Sequence, residues 1–65
     1  MRLPFIQVYL VEGRTEEQRE KLAKAITEAT VEILGVAKEN VWVHFVEMRK
    51  TDFATGGVLR SKRQG

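Results

Sequence analysis

The chain has no cysteine and a single histidine among its 65 residues. No disulfide can staple it, and no thiolate site can hold a metal. No apolar run approaches the ~20 residues needed to span a membrane. The apolar positions between Met1 and Gly13 alternate with polar ones and carry no signal-peptide cleavage pattern. The sequence therefore predicts no membrane partner and a cytoplasmic location. Neither sign of charge is in marked excess: the net charge is +2, which does not call for a nucleic-acid partner. The basic residues near the C-terminus also lack the interleaved aromatics of single-strand binders. There is no internal repeat, linker or low-complexity segment. A chain this short forms one small domain and cannot bury a self-sufficient core. Without disulfide or metal, the remaining route to stability is oligomerisation.

The one proline, Pro4, opens the first structured stretch. Residues 4–11 favour a strand through Phe5, Ile6, Val8, Tyr9 and Val11. Alternation puts Ile6, Val8 and Leu10 on an aliphatic face and Phe5, Gln7, Tyr9 and Val11 on a mixed one. Proline is structurally ordinary at the first position of a strand, where its missing N–H is tolerated. Gly13-Arg14 ends the strand. Thr15-Glu16-Glu17-Gln18 is a capping-box pattern, with Thr15 as N-cap and Gln18 reaching back to it. Leu22, Ala25, Ile26, Ala29, Ile33 and Leu34 then recur at helical spacing and predict one apolar stripe. Gly35 is placed to stop the helix.

After a short connection over 36–40, Val41 to Met48 reads as a second strand. Val41, Val43 and Phe45 make one face; Trp42, His44, Val46 and Met48 make the other. Strand, helix, strand predicts a βαβ unit with parallel strands and a right-handed crossover. The aliphatic faces would pack under the helix. The faces carrying Phe5, Gln7, Tyr9, Trp42, His44 and Val46 would stay open on a single chain, which marks an association surface. Beyond it, Phe53 precedes Gly56-Gly57, which permit a tight turn or hairpin. The fold class is thus α/β (α+β), a single βαβ unit with a C-terminal hairpin.

A strand that starts at proline and closes with Glu12-Gly13-Arg14 is followed by a helix capped by Thr-Glu-Glu-Gln. Val46-Glu47-Met48 then closes the second strand, and Phe53 and Gly56-Gly57 follow. In combination these motifs resemble the 4-oxalocrotonate tautomerase family, from Pro4 to about Lys62 and without an insertion. The resemblance implies a domain over 4–65, preceded by an extension over 1–3. It implies subunits that join their sheets in pairs, and a homo-oligomer, a hexamer built from three dimers. It implies keto–enol tautomerisation of 2-hydroxy-dienoates to unsaturated 2-oxo acids, with a small-molecule 2-hydroxy or 2-oxo acid as partner. No cofactor and no metal are implied. Pro4 matches the family's catalytic proline, whose free secondary amine is the base. Arg14 matches the arginine that binds a substrate carboxylate, and Phe53 an aromatic that makes the pocket apolar. Trp42 stands where the best-studied members carry a second arginine. Its indole can wall the pocket or donate an N–H, but it cannot neutralise a carboxylate.

The physical logic of such a site can be checked independently. A free α-amino group titrates near about 7.7–8.0. Desolvation and a nearby arginine both lower that value, which suits proton abstraction beside a carbonyl at neutral pH. Met1, Arg2 and Leu3 stand before Pro4 in this sequence. While they are retained, the Pro4 nitrogen is a tertiary amide whose lone pair is delocalised into the carbonyl. The expectation is that Pro4-dependent catalysis is then weak or absent, leaving a non-catalytic homologue that assembles or binds as the alternative. Among the other polar residues, His44 could be a ligand or base but reads more simply as an interface residue. Tyr9 reads as an interface phenol, and Glu12 as a turn carboxylate bonding local N–H groups.

Overall fold

The computed structural model describes residues 3–63. Met1 and Arg2, two of the three residues of the expected extension, lie outside the described residues. Strand β1 (Phe5–Val11) leads to helix α1 (Glu16–Leu34), and a short 3-10 turn over Lys38–Asn40 leads to β2 (Trp42–Met48). β1 and β2 pair in parallel, from Phe5 opposite Trp42 to Val11 opposite Met48. The ladder extends past both ends. The Trp42 N–H donates to the Pro4 carbonyl at 3.0 Å, and the Glu12 N–H to the Met48 carbonyl at 2.8 Å. The fold is therefore the expected βαβ unit with parallel strands.

The helix is bounded as its termini dictate. The Thr15 hydroxyl accepts from the Gln18 N–H at 3.1 Å, and the Gln18 side chain accepts from the Thr15 N–H at 3.0 Å. Gly35 adopts φ 70°, ψ 33°, the left-handed C-terminal cap, and its N–H donates to the Val31 carbonyl at 2.9 Å. The helix face turned to the sheet differs from the predicted stripe. The half-buried helix residues are Arg19, Ala23, Ile26, Thr27, Thr30 and Val31. Of the predicted stripe only Ile26 is among them; Leu22, Ala25, Ala29, Ile33 and Leu34 are exposed. The helix has apolar groups on two sides, and a sheet of two strands covers only one of them. Ala23, Thr27 and Thr30 on this helix face, and Ile6, Val8, Val43 and Phe45 on the sheet, are all half-buried. Arg19 and Glu47 close this layer with an ion pair at 2.8 Å.

β3 (Ala54–Thr55) and β4 (Val58–Leu59) form the C-terminal hairpin. Gly56 and Gly57 turn it with φ of 60° and 82°, the pair of positive angles that a tight two-residue hairpin turn demands. Before it, a 3-10 turn at Lys50–Asp52 is held by the Arg49–Asp52 ion pair at 2.9 Å. Among the described residues none is fully buried. On the open sheet face Phe5, Tyr9 and Trp42 are each more than half exposed, and on the helix Ile33 is 78% exposed. Two apolar surfaces on opposite sides of one sheet remain uncovered. That is the physical condition under which a small chain associates.

Candidate functional site

The sequence-selected residues fall into two groups at opposite ends of the β1–β2 ladder. Pro4 and Trp42 sit together where the strands begin, joined by the backbone bond between the Trp42 N–H and the Pro4 carbonyl. Arg14 and Phe53 sit together where the strands end, on one cavity. A seven-residue strand rises ~3.3 Å per residue, so the two groups lie on the order of 20 Å apart within one chain. The chain itself measures 43 × 23 × 16 Å. No single chain closes a site around Pro4, Arg14 and Phe53 together.

The Pro4 end is aromatic. Phe5 meets Trp42 edge-on, with ring centroids 6.3 Å apart, and lies stacked against His44 at 6.4 Å. A polar chain runs away from these rings along the open face. His44 Nδ1 lies 3.4 Å from the Gln7 amide nitrogen, and the Tyr9 hydroxyl donates to the Gln7 amide oxygen at 3.1 Å. Alternation on the two paired strands produces this line, because Phe5, Gln7 and Tyr9 share a face with Trp42 and His44. His44 meets the Gln7 amide within the exposed sheet surface. Among the described residues no group of histidines and carboxylates could hold a metal.

The Arg14 end is cationic. A cavity of about 660 Å³ is walled by Tyr9, Val11, Met48 and Phe53 from the sheet and its exit. Arg14 comes from the turn after β1, and Arg60 and Arg63 from the segment after the hairpin. The hairpin makes this convergence possible. It returns the chain so that the Arg60 N–H donates to the Phe53 carbonyl at 2.7 Å. Arg63 is then fixed against the hairpin by a bond from Nη2 to the Thr55 carbonyl at 2.8 Å. Among the described residues no carboxylate lies within ion-pair distance of Arg14, Arg60 or Arg63. Arg19, Arg49 and Lys21, by contrast, are each paired. Nearby, the side-chain hydrogen bond from Arg49 holds the Asp52 carboxyl below its ordinary range, against a smaller opposing effect of desolvation.

Arg60 and Arg63 read in the sequence only as part of a basic tail, and Tyr9 as an interface phenol. The available signal was the Gly56-Gly57 turn. A two-residue hairpin there pairs Ala54 with Leu59 and so carries position 60 back beside Phe53. Chemically, the cation end can bind and orient an anion over an apolar floor, and it carries no base. The Pro4 end carries a nitrogen that would be a base if it were an amine.

The chain matches the family model for "Tautomerase enzyme" over residues 4–63. It is 42% identical over 60 residues to the 2-hydroxymuconate tautomerase of Pseudomonas sp. strain CF600, covering 92% of this chain and 95% of that protein. Its structure is similar to that of YwhB, a homologue of 4-oxalocrotonate tautomerase. The TM-score is 0.88 at 38% identity, covering 94% of this chain and 100% of that one. It is also similar to a heterohexameric 4-oxalocrotonate tautomerase from Chloroflexus aurantiacus. That TM-score is 0.88 at 25% identity, covering 97% and 100% of the two chains.

Proposed function

The chain belongs to the tautomerase family, and from that premise we propose that it is an isomerase of 2-hydroxy-dienoate and unsaturated 2-oxo acids whose sites are each shared between two chains. The observation that carries the proposal is the separation of Pro4 from Arg14 and Phe53 along one ladder. β1 and β2 are both edge strands in the single chain, with backbone groups free to pair with another copy. A two-fold contact that sets β1 of one chain antiparallel to β1 of another lays the start of each strand beside the end of the other. Pro4 of one chain then comes near Arg14 and Phe53 of its partner. The exposed open face and the exposed helix stripe supply apolar surface for such an oligomer. A hexamer of three dimers fits the heterohexameric relative.

In the proposed site Arg14 takes a substrate carboxylate in its planar fork. Phe53 keeps water away from the reacting carbons. The Pro4 nitrogen removes the proton of the 2-hydroxyl, whose electron pair becomes the carbonyl as the double bond shifts. The same proton returns to the distal carbon, so the reaction is an isomerisation without net proton uptake. This step requires an amine. With the Leu3–Pro4 peptide bond intact the nitrogen is an amide, and that bond favours a second reading, in which the retained extension leaves a binding protein with the family's assembly.

The experiment is to make the chain beginning at Pro4 and compare it with the full chain on 2-hydroxymuconate at pH 7–8. A positioned general base contributes roughly 10²–10⁴-fold, and the Pro4-initiated chain should gain about that factor. A folded, assembled Pro4-initiated chain no faster than the full one would remove the amine from the mechanism.

A further inference from the structure

The cation end holds more positive charge than one carboxylate can answer. Three guanidinium groups line one cavity, no acidic side chain lines it, and none of the three is ion-paired among the described residues. Arg60 is half-buried. The other half-buried cation of the described chain, Arg19, is answered by Glu47 at 2.8 Å. A cation partly withdrawn from water without a partner is costly, and an anion brought to it relieves that cost. Arg63 spends one of its five N–H donors on the Thr55 carbonyl, which fixes its guanidinium at the cavity and leaves the rest to bind. At the other end of the ladder the residues beside Pro4 are Phe5 and Trp42, which offer rings and no charge.

We propose that Arg60 and Arg63 join Arg14 in binding a compact dianionic head: two carboxylates on neighbouring carbons, or one phosphate-type group. The rest of the ligand is apolar and unsaturated and extends toward the Trp42 side of the completed site. This inference rests on the reading of the cavity as half of a tautomerase site, and it adds where the substrate carries its charge. A single carboxylate fills one guanidinium fork in a bidentate pair. Three forks on one wall select a head with more acceptor oxygens and a second charge.

The test is equilibrium titration calorimetry on the assembled full chain at pH 8 and fixed ionic strength, since exposed charges are screened by salt. Three probes share one ring: benzoate, phthalate and phenylphosphonate. At least one of the two dianions should bind about tenfold more tightly than benzoate, the gain from one additional charge-assisted contact. Arg60→Gln and Arg63→Gln should each weaken the preferred dianion more than benzoate and so remove most of that advantage. Arg60→Lys, which keeps the charge and loses the fork, should retain part of it. A merely structural Arg60 would weaken all three probes alike. Preference for phthalate identifies neighbouring carboxylates, and preference for phenylphosphonate identifies a phosphate-type head. Benzoate binding as tightly as both dianions would overturn the proposal. So would the absence of binding by any probe, or a preference that survives when Arg60→Gln and Arg63→Gln are combined in one chain. Sedimentation and circular dichroism confirm that each variant is folded and assembled. No probe needs a base. A Pro4-initiated chain that is inactive on 2-hydroxymuconate yet prefers a dianion removes the proposed reaction and leaves the head site standing. An active chain whose Arg60→Gln variant binds all probes as before removes the head site alone.

Discussion

The two ends of the β1–β2 ladder are built in opposite ways. At the Pro4 end everything that matters lies on strands or immediately before them. Register alone sets Phe5 against Trp42 and aligns Gln7 with His44. At the Arg14 end the cations come from a turn and from the segment after a hairpin. Their positions depend on Gly13, the Gly56-Gly57 turn and single bonds such as Arg63 to Thr55. Regular backbone fixes a side chain more tightly than a loop does, and loops carry variation at lower cost. The difference assigns the roles. The nitrogen that would transfer a proton sits at the start of regular backbone, and the groups that would recognise the substrate's charge sit on connections. In the proposed reaction neither end suffices alone, and their separation would make the second copy a chemical requirement as well as a source of stability.

Subunit complementation tests that division most severely. In the Pro4-initiated background, Pro4→Ala should lower activity because a primary amine replaces the constrained secondary one. Arg14→Ala should raise KM and lower kcat together, as for a group that holds the carboxylate in ground and transition states. The Arg14→Ala loss should reach about a hundredfold in kcat/KM, the scale of a lost charge clamp, and the Pro4→Ala loss should be smaller, since an amine remains. When the two variants are unfolded, mixed in equal amounts and reassembled, about a quarter of the sites should draw an intact Pro4 and an intact Arg14 from different chains. Activity should return to about that fraction. No recovery on mixing would place both residues of a working site in one chain, which the geometry of the ladder opposes.

Assembly is the next largest effect. Val46 lies on the open face, opposite Tyr9 in the ladder. An unpaired carboxylate buried there costs several kcal/mol, roughly the scale of a marginal association. Val46→Asp should dissociate or unfold the oligomer in sedimentation at micromolar concentration. A variant that assembles as the parent does would show that this face stays open in solution.

These tests bear on residues the sequence made legible to different degrees. Both main strands and the helix could be read to within about a residue, because their signals are local. Thr15 and Gln18 cap each other, Gly35 stops the helix, and the strand faces alternate. The helix orientation was not legible. Leu22, Ala25, Ala29 and Ile33 do form an apolar stripe, but periodicity cannot say which of two apolar sides a two-stranded sheet will cover. The half-buried side carries Ala23, Ile26, Thr27 and Val31, and Leu22, Ala25, Ala29 and Ile33 are left exposed. Of the proposed site, Pro4, Arg14 and Phe53 match the family motif and Trp42 stands where its second arginine would, and motif is silent on distance. Arg60 and Arg63 belong to no motif and reach the cavity only because a hairpin folds them back, a non-local fact.

A moderate effect is expected from restoring charge at the aromatic end. Trp42→Arg exchanges an indole beside Pro4 for a guanidinium fork, without disturbing the backbone bond that position 42 makes to the Pro4 carbonyl. Affinity for a dicarboxylate with its charges at opposite ends, such as trans,trans-muconate, should rise about tenfold, from one added charge-assisted contact. Affinity for sorbate, the same carbon chain with one carboxylate, should change less. Equal gains for both would mean that the new cation acts through general field alone, and the contrast between the ends would lose its meaning for specificity.

The smallest effect should appear at the turn that introduces Phe53. The Arg49 side chain holds the Asp52 carboxyl below its ordinary range, and the Asp52 N–H donates to the Arg49 carbonyl at 2.8 Å. A depressed carboxyl pKa means that its contribution is fully present above the unfolded-state value. It is lost as pH falls through the lower folded-state value. Both side chains are well exposed, 75% and 44%, so the pair is screened and contributes little to global stability. Its effect should be local. Acidification through the folded-state range, or Asp52→Asn at neutral pH, should speed amide hydrogen exchange at Asp52. The Arg60 N–H, which is bonded to the Phe53 carbonyl, should follow, because both report the packing of this turn against the hairpin. The Trp42 N–H, held by Pro4 at the far end, should keep its protection. Equal acceleration at Trp42 and Arg60 would show that the two ends open as one cooperative unit. The cation end would then not be the more adjustable of the two.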